Sequence, residues 1–199
     1  MLHPGFRLLR AELALIHDLV RLFRRFTVIP DSAVPLPATQ GLWFLPVTVS
    51  ALTVVEITAV ELLVTAVSLR VLVTAVSVYS LLLLWGLFGR QKVFPHYVYH
   101  RTLVLRQGRR VLVNVPLEES EKVIEERSFT ADRLSVSDQT LFTGNGNGTN
   151  VRVDLRVPVP VTVPGERVWE KRRTFQITSL RFWADDPQKA VTATRCARS

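Results

Sequence analysis

The hydrophobic positions fall into three regimes along the 199 residues. From Gly41 to Gly89 there are only three charged residues, Glu56, Glu61 and Arg70. A bilayer core of ~30 Å takes about 20 helical residues per crossing, so this block predicts two crossings joined by a short hairpin. The first runs over Leu42–Glu61 and the second over Val71–Gly89, with "LLVTAVSLR" between them. Trp43 opens the first and Trp85 lies near the end of the second. In an antiparallel hairpin both tryptophans would meet one interface, as an aromatic belt requires.

Before this block, residues 5–26 repeat with helical period. Arg7, Arg10, His17, Asp18, Arg21, Arg24 and Arg25 fall within an arc of about 120°, opposite Phe6, Leu8, Leu9, Leu15, Ile16, Leu19, Leu22, Phe23 and Phe26. Only Glu12 breaks the pattern. An Arg-rich face opposite Leu and Phe predicts a helix lying in the membrane interface, or docked on a protein partner. Pro30, Pro35 and Pro37 then predict a stiff linker, because proline withholds amide donors and extends the residue before it. Residues 1–40 thus form one region and the hairpin, 41–94, a second.

Beyond Pro95 the period changes to two. "YVYHRTLVLR" and "RRVLVNV" flank a turn at Gln107-Gly108. "LEESEKVIEERS" predicts a polar connector with one helical turn, and "RLSVS" and "TLFTG" two short strands. "GNGNGTN" (144–150) predicts a flexible turn. "NVRVDLRVPVPVTV" alternates but holds Pro158 and Pro160, which predicts an edge strand or an early end. After the strand "RTFQITSLRFWA", Asp186 and Pro187 read as the cap and first residue of a C-terminal helix. Residues 95–199 are therefore a soluble, mainly-β domain of six or seven strands closed by one helix.

Charge adds orientation. Residues 1–40 carry five Arg against three acids, and residues 90–199 carry 19 basic against 12 acidic side chains. The hairpin turn has only Arg70. The positive-inside rule then predicts a multi-pass protein with both termini cytoplasmic. Because the basic blocks flank an apolar one, anionic phospholipid is favoured over nucleic acid as the polyanionic partner. Candidate head-group contacts are Arg7, Arg10, Arg21, Arg24, Arg25, Arg101, Arg106, Arg109 and Arg110. Arginine outnumbers lysine 21 to 4, an association with GC-rich bacterial genomes that places the chain in a bacterial plasma membrane. The lone Cys196 forms no disulfide within the chain.

No nucleophile motif is present, and "GNGNGTN" lacks the Lys-Ser/Thr and the strand-to-helix setting of a phosphate loop. His96 and His100, if both in a strand, share a face about 13 Å apart, too far for one metal. The reading is therefore a non-enzyme with no metal or cofactor. The polar membrane positions carry more information. Ser50, Thr53 and Glu56 predict one stripe, facing Thr74 and Ser77 across the hairpin. Glu61 pairs with Arg70 at the outer edge. For Glu56 three readings stand: protonated within the hairpin, paired with Arg70 or a neighbouring subunit, or part of a proton path.

A bent antiparallel sheet with a C-terminal helix resembles the pleckstrin-homology (PH) superfold. "LVLRQGRRVLVNVPLEESEKV" (103–123) and "LRFWADDPQKAVTAT" (180–194) resemble bacterial PH-like domains attached to membrane hairpins. "VVEI", followed by Arg90 and Pro95-His96, is similar to uncharacterised actinobacterial two-helix membrane proteins. The resemblance implies a small PH-like barrel and a non-catalytic accessory or scaffold subunit contacting integral membrane proteins. A respiratory-chain supercomplex is one host it points to. The alternative it allows is a lipid-binding or stress-sensing protein of the cytoplasmic leaflet.

Overall fold

The computed structural model describes residues 4–24, 26–130, 134–163 and 173–198, with backbone alone for 4–11. The chain divides into two units, residues 1–27 with 41–93, and residues 28–40 with 94–199.

The first unit is helical. The apolar block forms α2 (Phe44–Leu63) and α3 (Val67–Val93), joined by only three residues. Much of the predicted connecting segment is therefore helix. Pro46 is tolerated because it sits in the first turn of α2, where its absent N–H has no partner to lose. Both helices are long and apolar enough to cross a membrane, and only 11% and 6% of their apolar windows are buried within the chain. These largely exposed faces fit association with a membrane.

The N-terminal helix α1 (Pro4–Phe23) packs on α3. A Cβ placed on Gly86 would lie 3.1 Å from the Cβ of Leu15, and one on Gly89 3.2 Å from Leu22. These glycines let the two backbones approach closely. Glu12 reaches Tyr79, Leu15 reaches Gly86 and Leu22 reaches Gly89, so α1 and α3 run in the same sense. The amphipathic helix is thus docked on a helix of its own chain. Asp18, placed by periodicity in the solvated arginine arc, is instead fully buried against α3.

The second unit begins before the helices. The proline-rich stretch, expected as a linker, contributes β1 (Val34–Leu36), which pairs antiparallel with β2 (His96–Tyr99). The helical hairpin is thus an insertion between two paired strands. β3 (Thr102–Gln107) and β4 (Arg110–Pro116) complete a four-stranded sheet in the order β1-β2-β3-β4. Its tight turn is Gly108-Arg109, one residue later than the sequence predicts, and Gly108 supplies the positive φ.

After a 3-10 turn (Leu117–Glu119), the predicted polar connector is in fact β5 (Ser120–Ser128). Its charged residues Glu121, Lys122, Glu125, Glu126 and Arg127 occupy both faces of the strand, which hides the alternation. β6 (Ser135–Ser137) and β7 (Thr140–Thr143) match the two predicted short strands. With β8 (Thr149–Val163) and β9 (Arg173–Phe182) they form a second sheet, β5-β8-β9-β7-β6, in which β7 runs parallel to β9. Pro158 and Pro160 fall in the half of β8 that pairs with β9 alone, since β5 reaches no further than Leu155. There β8 has a neighbouring strand on one side only, which is where a strand tolerates proline.

One core joins both sheets: Leu103, Leu105 and Val115 from the first meet Val151, Ile177 and Phe182 from the second. Helix α4 (Pro187–Arg198) adds Ala190 to it, and Asp186 caps this helix through the Lys189 amide at 2.9 Å. The described strands form two sheets rather than a closed barrel, so the expected PH-like barrel is not seen.

Candidate functional site

The polar groups of the helical unit are the strongest candidates for function, because an apolar setting makes each one costly unless satisfied. Most are satisfied inside the chain. Arg70 lies 3.0 Å from Glu61, closing the hairpin turn as expected. Asp18 of α1 meets Arg90 of α3 at 3.2 Å. The Tyr79 hydroxyl hydrogen-bonds to Glu12. The Trp85 indole N–H donates to Ser50 Oγ at 3.0 Å, and Ser50 in turn donates to the Pro46 carbonyl at 2.6 Å.

The predicted hydroxyl stripe is only partly formed. Thr53 is buried, but the bond across the hairpin is Trp85–Ser50, and the Thr74 hydroxyl has no hydrogen-bond partner. Thr74 lines a groove of about 550 Å³ with Glu61, Val71, Ala75, Val78 and Tyr79. Trp85 binds Ser50, well inside α2, whereas Trp43 lies exposed at its start.

Glu56 is exposed and makes no hydrogen bond or ion pair among the described residues. Three residues from the buried Thr53, it lies about 60° round α2, at the exposed margin of that stripe. Arg70, one of its expected partners, is engaged by Glu61.

Of the candidate head-group arginines, Arg7, Arg10 and Arg25 have side chains outside the described residues. Arg21 is half-buried and Arg24 exposed. Arg101 pairs with Glu118 at 3.2 Å. Arg106 stacks over the rings of Phe94 and Tyr97, at 5.4 and 5.5 Å, and donates to the Val28 carbonyl at 2.8 Å. Arg109 lies over the same Phe94 ring at 5.7 Å, and Arg110 begins β4. Two guanidinium groups thus share one aromatic ring, and the Arg106 Nε is buried without a partner.

His96 and His100 are not two positions on one strand face. His96 is buried in β2 and accepts the Arg106 amide at Nδ1, 3.0 Å. Burial pushes its pKa down to about 4. His100 sits in the turn after β2 with a positive φ of 50°. On the five-stranded sheet Glu126 bonds Arg181 and Arg152, and Arg152 also bonds Asp154 at 2.8 Å. The Arg181 bond, opposed by desolvation and helped by Arg152, holds the Glu126 carboxyl below its usual range.

Periodicity misses the Asp18–Arg90 and Glu12–Tyr79 contacts and the "GNGNG" clamp. Asp18 is the one acid inside a basic arc, and Glu12 the one charge off it. Both anomalies point to α3. Asn145 and Asn147 donate to the carbonyls of Ala38 and Gln40, while Asp185 accepts the Thr39 and Gln40 amides at 3.0 and 2.7 Å. The glycine-rich segment, expected as a flexible turn, therefore fixes the stretch that leads into α2.

No protein-family model, no curated protein and no solved structure matches this chain.

Proposed function

We propose that this chain is a non-catalytic integral membrane subunit. Its hairpin spans the bilayer, residues 94–199 stand on the cytoplasmic side, and α1 is clasped to α3. One observation carries the reading. The helical unit pairs Asp18, Glu61 and Glu12 internally, yet leaves the apolar faces of α2 and α3 almost wholly uncovered. Such a unit is built to be embedded among lipids and other helices, with most of its charged groups already paired and Glu56 the exception. Basic Arg90 and Lys92 at the end of α3 support a cytoplasmic placement for the β unit.

Extraction of the full-length protein in mild detergent tests this. The expected outcome is co-elution with a second integral membrane protein at fixed ratio, identified by mass spectrometry. A protein that elutes only as a monomer, or that alkaline carbonate strips from the membrane, removes the proposal.

The Arg106–Phe94–Arg109 cluster favours a second reading, recognition of anionic head groups just after α3 in the chain. In nanodiscs, phosphatidylglycerol should then protect residues 106–110 from hydrogen exchange. That protection should weaken with salt and disappear in Arg109→Gln.

A further inference from the structure

We infer that the Glu56 face of α2 is a docking seam for a transmembrane helix of another protein, one that presents a lysine or arginine at the matching depth. The inference rests on the subunit reading above and names the face and the chemistry of the contact.

Three observations carry it. Leu45, Leu52, Glu56 and Leu63 recur at spacings of seven, four and seven residues, so they fall within an arc of about 40° on α2. All four are exposed. An i, i+7, i+11, i+18 stripe is the pattern that a second helix packs along. Glu56 interrupts this leucine stripe about 18 Å from the start of the helix at 1.5 Å per residue. An ionised carboxylate at that depth needs a counter-charge. The chain's own intramembrane cation is spent elsewhere: Arg70 Nη1 is 3.0 Å from Glu61 Oε2, more than a helical turn beyond Glu56.

The same charge logic selects the occupant. In a two-fold dimer through this face, Glu56 would meet Glu56, and like charges directly opposed in an apolar setting repel. A basic side chain on a different helix neutralises the carboxylate and lets the leucines pack on either side.

The probe is a synthetic leucine-alanine transmembrane peptide with one lysine about a third of the way from one end, carrying an acceptor dye. The full-length protein carries a donor on its single cysteine, the exposed Cys196. Both are reconstituted in phosphatidylcholine vesicles, and energy transfer is followed against peptide-to-lipid ratio. The lysine peptide should half-saturate at a ratio at least about tenfold lower than the same peptide with leucine there, or with its lysine moved six residues along. Glu56→Gln, an isosteric change, should erase that preference while helix content stays unchanged.

Equal association of all three peptides overturns the inference. So does wild-type self-association that Glu56→Gln abolishes, because the occupant is then a second copy. Lysine selectivity with no co-purifying protein from cells would leave the seam standing and sink the subunit reading. A native complex that retains its partner unchanged in both Glu56→Gln and Leu52→Ala would do the reverse.

Discussion

At the scale of single residues the most informative side chain is His96. Its imidazole is neutral in the fold because burial opposes the charge, and its Nδ1 must stay unprotonated to accept the Arg106 amide. Its folded pKa of about 4 lies below the ordinary 6.5. The unfolded chain therefore takes up this proton first as pH falls, and stability present above pH 6.5 is lost progressively down to pH 4. The loss amounts to about 3 kcal/mol for this one group. Urea titrations of the full chain in detergent at half-unit pH steps should show it. In His96→Leu the slope between pH 6.5 and 4.5 should vanish, although the orphaned Arg106 amide lowers stability at every pH. A second loss should remain below pH 4.5, where Glu126 protonates and releases Arg181 and Arg152. An unchanged slope in His96→Leu would show that another group titrates.

Among the elements, α1 shows how far a pattern can be read and where reading stops. Helical period marks its extent to within three residues at either end, because apolar and charged positions alternate at 3.6. The same period assigns Asp18 to water, since a hydrophobicity pattern cannot anticipate a specific counter-ion on another helix. Arg90 and the small residues Gly86 and Gly89 are visible in the sequence, but only the packing brings them to α1. Gly86→Leu should push α1 off α3, because a Cβ there already meets Leu15 at 3.1 Å. Trypsin cleavage at Arg21 should then accelerate about tenfold, equivalent to about 1.4 kcal/mol of local opening. Asp18→Asn should act in the same direction and more weakly, because Arg90 keeps part of its hydration. At the other end of the chain, Asp186 and Pro187 are legible as a helix start because capping is a local interaction. Asp186→Ala should cost about 1 kcal/mol in thermal unfolding.

At the scale of the whole molecule, the chain leaves its β unit through β1 and returns through β2, with the entire hairpin inserted between two paired strands. Long-range pairing of this kind is invisible to local pattern. A three-residue strand bracketed by prolines looks like a linker until its partner, on the far side of the two apolar helices, is known. The consequence is testable without a membrane. Residues 94–199 alone would expose the β2 edge, empty the buried place of Leu36, and leave Asp185 without the Thr39 and Gln40 amides. Removing one buried leucine costs about 2–5 kcal/mol, comparable to much of a small domain's stability. Residues 94–199 expressed alone should therefore be partly unfolded or aggregated. Residues 28–40 joined by a short Gly-Ser linker to 94–199 should give dispersed amide resonances and a cooperative melt. If the shorter fragment melts as cooperatively and as high as the joined one, β1 is an accessory to the fold, and the unit begins at Phe94 as the change of period alone would place it.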